Sequence, residues 1–397
     1  MIKTFRVIGI GNKIPNFSKQ EQSHVLSTSV FSGGKRHYEL VKNMLPENHK
    51  WIPIQSPMNE VFKAYENTIE PIVIFASGNP LFYGFSNTLK NKYPNADIIT
   101  TPYFSAIQLL ANATNINTSH LQTISVHGRS WKTLDVALIQ QKELIGVLTD
   151  NKKTPTSIAK RLLKYGYDNY KVIVGEDIEG KQEKFYKLTL AEASTMEFHS
   201  LNCMLLQKTN HRHITFGIQD TDFEGLPNRP NMITKMPIRL TTLHLLDILG
   251  ISTLWDIGFC TGSISIEAKL KNPELEVIAF EKRSECESIF HSNQKRFGTP
   301  GIQSVIGDFF DQDLSQFSKP DAIFIGGHGG RLEELFCKIA PILQPDTCII
   351  INAVKESSIQ YFKKGCKAIG YAIIQEYVIT LDTHNPITLL KAKHSKN

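Results

Sequence analysis

Two glycine-rich signatures of different type stand in the two halves of the chain, and each suits a backbone that must approach a nucleotide-like ligand closely. The first half carries Val7-Ile8-Gly9-Ile10-Gly11 and, further on, Phe75-Ala76-Ser77-Gly78-Asn79-Pro80-Leu81-Phe82-Tyr83-Gly84. The second half carries Leu254-Trp255-Asp256-Ile257-Gly258-Phe259-Cys260-Thr261-Gly262-Ser263. Two unlike sites for one kind of ligand in one polypeptide point to an enzyme that performs two related steps.

Three acids extend the second signature. A doubly wound sheet binds its ligand beyond the carboxyl ends of the strands, so residues there can be read in order. Gly258 and Gly262 flank a turn into a helix, and a helix N-terminus favours negative charge. Asp256, just before the turn, can accept from an amine or orient the loop. Glu281 ends the second strand, where an acid can bind both ribose hydroxyls. Asp308 follows the third, where an acid can accept from adenine's exocyclic amine. The bland alternative is a nucleotide-free Rossmann-like domain with acids at its strand ends. A nicotinamide dehydrogenase would place Gly-x-Gly-x-x-Gly directly after the strand, and here a looser Gly-x-x-x-Gly stands instead.

The elements that must position these residues are legible from periodicity and punctuation. In the first half, strands are expected at Phe5–Ile10, Ile72–Ala76, Ile98–Thr101, Thr123–Val126, Leu144–Leu148, Lys171–Val174 and Cys203–Gln207. The all-apolar run 72–76 reads as a strand buried on both faces, closed by Ser-Gly-Asn-Pro turn chemistry. Helices are expected at Glu21–Thr28, from near Gly84, at Ser105–Asn115, within Trp131–Gln141 and at Thr156–Tyr165. The second half alternates cleanly. Strands at Thr253–Ile257, Glu276–Glu281, Gln303–Ile306, Asp321–Gly326 and Cys348–Ala353 are separated by helices at Ser263–Lys271, Glu285–Phe297, Arg331–Ile342 and Ser357–Gly365. Two extended runs, Ala372–Leu381 and Ile387–Ala392, joined by Asp382-Thr383-His384-Asn385-Pro386, read as a terminal antiparallel hairpin. The fold class is therefore α/β, with domains expected at 1–208 and 232–397 and a linker with an entry loop at 209–231.

Composition narrows the function. A chain of 397 residues favours two or three domains. The net charge of +6 fits an anionic small molecule, and without a dense Lys/Arg block interleaved with aromatics a nucleic-acid partner is not expected. Six scattered cysteines form no CxxC motif and read as reduced thiols. His211-Arg212-His213 reads as solvated linker, so no metal is expected. Met1–Arg6 runs straight into a strand with no apolar leader, and no segment has membrane-span length; the expected location is the cytoplasm.

Residues 225–397 resemble the decarboxylating methyltransferases of corrin biosynthesis that act on carbon 15 of precorrin-6. The matching stretches are Met232-Ile233-Thr234-Lys235 with Arg239, Leu254–Gly258, Gly262-Ser263-Ile264-Ser265-Ile266-Glu267, Phe324-Ile325-Gly326-Gly327-His328-Gly329-Gly330 and Asn352-Ala353-Val354. One departure is Cys260, where the family's Asp-x-Gly-x-Gly-x-Gly pattern has its middle glycine. Residues 3–208 resemble the tetrapyrrole (class III) methylase family, in the branch that methylates carbon 5. The resemblance rests on Gly9-Ile10-Gly11, Ala76–Gly84, Pro102-Tyr103-Phe104-Ser105-Ala106-Ile107-Gln108 and Leu148-Thr149-Asp150 with Thr154-Pro155. Here Asn79 stands where the family more often has aspartate.

The resemblances imply a two-subdomain methylase fold followed by a Rossmann-like class I methyltransferase sheet. They imply one S-adenosylmethionine per domain, a tetrapyrrole substrate, a homo-oligomer and no membrane partner. The cofactor would meet Gly9, Gly11, Ser77, Gly78, Asn79, Pro80, Tyr83, Ser105 and Ala106 in the first half. In the second it would meet Thr234, Asp256, Gly258, Gly262, Ser263, Glu281 and Asp308. Lys235 and Arg239 are candidates to pair with substrate carboxylates, or else ordinary surface charge. Gly326, Gly327, Gly329 and Gly330 leave room and N–H groups for a large carboxylate-bearing ligand, or make a tight turn. His328 is a candidate proton donor or a wall residue, and Arg331 a second catalytic or carboxylate-pairing candidate. The chemistry needs alignment and water exclusion more than a Ser/His/Asp apparatus. An RNA methyltransferase and a non-catalytic ligand sensor stand as alternatives.

Overall fold

The opening strand, Thr4–Ile10 (β1), has core on both faces: Phe5 and Val7 enter one apolar cluster, Ile8 and Ile10 another. It lies in a parallel five-stranded sheet with Val30–Gly33 (β2), Lys50–Pro53 (β3), Ile72–Ser77 (β4) and Asp97–Thr101 (β5), in the order β3-β2-β4-β1-β5. The register sets Gly9 beside Ala76 and Ile10 beside Ser77, so both glycine signatures of the first half emerge at one end of the sheet. This is a computed structural model, and it describes residues 2–229, 232–381 and 385–395.

A second five-stranded sheet follows from Leu121–Ser125 (β6), Leu144–Leu148 (β7), Tyr170–Glu176 (β8), Lys184–Thr189 (β9) and Asn202–Lys208 (β10), in the order β6-β7-β10-β8-β9. Only β6 and β7 run parallel; the other pairs are antiparallel. The helix Ala106–Thr114 lays Ile107, Leu110 and Ala111 on this sheet against Leu144, Ile173 and Leu205. Its start is fixed by a capping box in which Ser105 and Gln108 bond reciprocally, and its end by Asn115 in the left-handed region. Both sheets belong to one unit, residues 1–129, 142–160 and 170–209.

The other unit comprises residues 130–141, 161–169 and 210–397. Its seven-stranded sheet is built from Thr253–Ile257 (β11), Glu276–Glu281 (β12), Ile302–Ile306 (β13), Ala322–Ile325 (β14), Cys348–Ala353 (β15), Tyr371–Ile379 (β16) and Ile387–His394 (β17). The order is β13-β12-β11-β14-β15-β17-β16. The first five are parallel, with apolar layers on both faces. The terminal hairpin is as expected, with one refinement: β17 is antiparallel to both neighbours and inserts between β15 and β16. The hairpin residues Asp382–His384 and the linker residues Pro230 and Asn231 lie outside the described residues.

The stretch expected as linker and entry loop is better anchored than its composition suggests. Ile218, Phe223 and Leu226 enter the core of the second unit. Among the described residues no helix is long and apolar enough to cross a membrane.

Candidate active sites at the strand ends

At the carboxyl end of β1 and β4 the chain builds a cleft of about 460 Å³. Gly11, Ser77, Gly78, Asn79, Tyr83, Ser105 and Ala106, all candidate cofactor contacts, line it. Gly9 and Pro80 do not; they support the wall from behind. A side chain at Gly9 would collide with the carbonyl of Gly78 and come within 2.7 Å of the Tyr103 nitrogen. Gly78 N–H donates to Ile10 O at 2.9 Å and sits at φ +61°, which favours glycine. The Asn79 carboxamide accepts from Leu81 N–H at 3.0 Å, the turn-closing bond that makes Asn as serviceable here as Asp. Tyr83, at φ +52°, donates its hydroxyl to Thr123 O and lies under the Arg129 guanidinium.

Among the polar residues of this cleft that the sequence did not flag are Asn12, Arg36 and His37. Asn12 directly follows the first glycine signature, while Arg36 and His37 stand in a short basic run behind Gly33-Gly34. Arg36 donates to Asn12 Oδ1 (3.1 Å) and Ser77 Oγ (2.8 Å). His37 Nε2 lies 2.9 Å from the same hydroxyl, and burial, with the Arg36 charge adding to it, lowers the imidazole pKa to about 4.

In the second unit a cleft of about 390 Å³ opens where the strand order reverses, beyond β11, β14 and β15. Thr234, Lys235, Asp256, Gly258, Ser263, Gly326 and Gly327 line it. Asp256 is 1% exposed; Ser265 Oγ donates to Oδ2 at 2.6 Å, while Oδ1 is buried without a partner. Burial pushes this carboxyl up to about 7. Gly258, at φ +82°, packs backbone to backbone on Gly327: a Cβ there would lie 2.5 Å from the Gly327 nitrogen. That contact explains the glycine at 258, and a Cβ at Gly326 would lie 3.0 Å from Gly258 O, whereas one at Gly327 would meet nothing nearer than 3.7 Å. Gly262 is also a packing residue, since a Cβ would enter the Phe290 ring. Gly329 and Gly330 have positive φ and open space around them.

A smaller cavity of about 250 Å³ continues along the strand ends past Glu281, Asp308, His328, Gly329 and Arg331. The Glu281 carboxylate accepts from Cys260 N–H and Arg283 N–H, both at 3.0 Å, and so ties the glycine turn to β12. Cys260 takes the left-handed conformation, φ +53°, and its Sγ lies 3.0 Å from Met232 O. Arg283, another residue the sequence did not flag, lines both cavities with a buried Nη1 that has no partner.

Three basic candidates need correction. Arg239 is fully buried: it pairs with Glu267 and Asp220 and donates to the carbonyls of Ile218 and Thr234, so it does not face a substrate. Arg331 is half-exposed but already balanced by Glu334 and Asp308, with its guanidinium stacked 3.7 Å from the Phe310 ring. His328 accepts from Gly330 N–H through Nδ1 at 3.1 Å, and burial, with Lys355 beside it, lowers its pKa. That makes it a turn-closing residue and a poor proton donor at neutral pH. Lys235 keeps its place on the cleft wall, 3.9 Å from Asp220. Asp308 is held by Lys282 and Arg331, and Asp308 Oδ1 accepts from Phe310 N–H. Among the described residues no cluster of His, Cys, Asp and Glu is placed to hold a metal ion.

A parallel sheet of this order, with a glycine turn, a buried acid before it and a second acid on the next strand, defines a Rossmann-like methyltransferase domain, here joined to a two-sheet unit with its own glycine-walled cleft. A family described as precorrin methyltransferase domain matches residues 228–392, and one described as tetrapyrrole (corrin/porphyrin) methylases matches residues 24–194. A precorrin-6Y C(5,15)-methyltransferase [decarboxylating] from a Sinorhizobium species is 28% identical over 387 residues, 95% of this chain and 87% of that protein. A probable cobalt-precorrin-6B C(15)-methyltransferase (decarboxylating) from Thermoplasma volcanium is 32% identical over 138 residues, 34% of this chain and 67% of that protein. A cobalt-precorrin-7 C(5)-methyltransferase from Salmonella typhimurium is 27% identical over 120 residues, 30% of this chain and 58% of that protein. The chain belongs to the decarboxylating precorrin methyltransferases of the precorrin-6Y C5,15 type, in which a tetrapyrrole methylase domain precedes a precorrin methyltransferase domain.

Proposed function

We propose that this chain is an S-adenosylmethionine-dependent C-methyltransferase of cobalamin biosynthesis. It methylates precorrin-6, or its cobalt form, at carbons 5 and 15 and removes the ring C acetate carboxyl as carbon dioxide. The first domain, 1–208, acts at carbon 5; the second, 232–397, at carbon 15; residues 209–231 join them. Each domain holds one cofactor.

The observation that carries the reading is the unpartnered, buried Oδ1 of Asp256 at the closed end of a glycine-walled cleft at the switch point. A buried carboxylate oxygen without a donor calls for one from a ligand, and the ammonium of S-adenosylmethionine supplies it. Glu281 offers remaining lone pairs to a ribose, and Asp308 lies further along the same groove for the adenine. In the first domain the Gly11, Ser77–Asn79 and Ser105–Ala106 wall receives the second cofactor. Bound S-adenosylmethionine supplies an electrophilic methyl on sulfur.

The chain's own residues bind, align and exclude water. The attacking electron pair is the substrate's, from an enamine-like ring carbon. The electron pair of the broken carbon–carboxyl bond passes into the substrate's protonated pyrrolenine, and a proton from solvent then converts the remaining methylene to methyl. Lys235, on the cleft wall, pairs with a substrate carboxylate, and Gly329 and Gly330 leave room for the macrocycle edge.

The test is to incubate the protein with S-adenosylmethionine and precorrin-6B and weigh the product. Two methyl groups gained and one carbon dioxide lost is the expected result. Cofactor binding without any mass change, here and with the cobalt-containing substrate, would move the sensor reading forward.

A further inference from the structure

The cleft of the first unit contains a guanidinium that no carboxylate among the described residues pairs with directly. Arg36 lines it, half-buried, and among the described residues no carboxylate oxygen lies within 4.0 Å of its guanidinium nitrogens. Its bonds go to neutral atoms, Asn12 Oδ1 and Ser77 Oγ. The nearest influential acid, Asp177, acts only at longer range and is occupied by Asn12 Nδ2 at 2.6 Å and Gln182 N–H at 3.0 Å. A cation withdrawn from water without a counter-ion is costly, and a ligand that brings the anion removes the cost.

The neighbouring groups suit a carboxylate. Gly34 N–H donates to His37 Nδ1 at 3.2 Å, which leaves the imidazole proton on Nε2, facing Ser77 Oγ at 2.9 Å. Ser77 Oγ therefore accepts twice, from His37 and from Arg36 at 2.8 Å. Both its lone pairs are used, so its own proton must be donated outward. Ser77 is exposed on the cleft wall. One charged N–H fork and one directed O–H stand side by side, a donor set matched to the two oxygens of a carboxylate.

We infer that Arg36 and Ser77, oriented by His37, form a carboxylate-binding subsite in the first cleft that grips a side-chain carboxylate of the tetrapyrrole. This rests on the substrate class proposed above; the cofactor's own carboxylate is the other source of the same chemistry. The subsite binds and positions; it takes no part in bond making.

The test titrates two probes into the full-length chain and into Arg36→Gln, Arg36→Lys and Ser77→Ala. Hydrogenobyrinic acid, a corrin polycarboxylate, is followed by absorbance, and S-adenosylhomocysteine by calorimetry. The expected result is a ten- to hundredfold loss of corrin affinity in Arg36→Gln, partial recovery in Arg36→Lys and no change for S-adenosylhomocysteine in either Arg36 variant, with a smaller loss of corrin affinity in Ser77→Ala. Loss of one S-adenosylhomocysteine site instead would keep the carboxylate site and assign it to the cofactor. Unchanged affinity for both probes in Arg36→Gln would overturn it. If the parent chain fails to bind the corrin, the substrate reading fails, and the S-adenosylhomocysteine titration alone decides the subsite.

Discussion

Arg239 and Glu267 form an ion pair inside the core of the second unit, with side chains 0% and 1% exposed. Glu267 also accepts from Gly217 and Ile218 N–H, and Arg239 reaches the carbonyls of Ile218 and Thr234. The pair thus fastens the entry segment to the helix Ser263–Lys271 and holds Thr234 and Lys235 at the cleft. Truncating one partner leaves the other charged and buried, so Arg239→Ala should cost about 3–5 kcal/mol. The double change Arg239→Met with Glu267→Leu should recover much of that loss in urea denaturation while still impairing carbon-15 methylation.

Asp256 makes stability depend on pH. Its folded pKa, about 7, lies above the value of an unfolded aspartate. The folded state therefore binds more protons, and stability falls as pH rises from about 4 through 7. Asp256→Asn should flatten that slope by a few kcal/mol across the window, read as the difference between variant and parent denaturation curves. The same variant should weaken one of two S-adenosylhomocysteine sites tenfold or more.

Gly9 separates the two reactions. An added methyl meets main-chain atoms of Gly78 and Tyr103, which cannot rotate away. Gly9→Ala should cost about 1–3 kcal/mol and abolish carbon-5 methylation. The product should then carry one new methyl group and still lack the acetate carboxyl. Loss of both reactions together would count against a division of labour between the domains.

Cys260 tests whether the family's missing glycine matters. Its left-handed backbone is strained by roughly 1–2 kcal/mol for a non-glycine residue, against which stand the contact to Met232 O and the lower chain entropy of the unfolded state. Cys260→Gly should stay within about 1 kcal/mol of the parent and keep carbon-15 activity. A loss well beyond that would make the Sγ contact a structural tether.

The second unit was legible because its parallel strands are apolar runs, all but β15 closed by a glycine or an acid. β11, β12 and β15 stand at the residues that pattern gave, as do the helices Ser263–Lys271 and Glu285–Phe297. In the first unit, β2 and β3 escaped notice because four residues carry no period. β9 escaped because it is an edge strand whose alternate residues Phe185, Lys187 and Thr189 are exposed and share no polarity. The helix Met236–Leu245, not among the expected elements, carries its proline in the first turn, which is where a helix accepts one. The glycines announced both clefts, but the charges misled. Nothing in the sequence says that Arg239 meets Glu267 in the core, or that Arg36 forms no ion pair among the described residues.

The inserted position of β17 has a consequence for how the protein is made. Residues 387–394 occupy the gap between β15 and β16, so the sheet cannot close until synthesis has passed them. The first unit, whose own last strand is complete by residue 208, can fold on the nascent chain. The second must wait with an unpaired edge on β15, which makes that interval the natural moment for chaperone capture or misassembly.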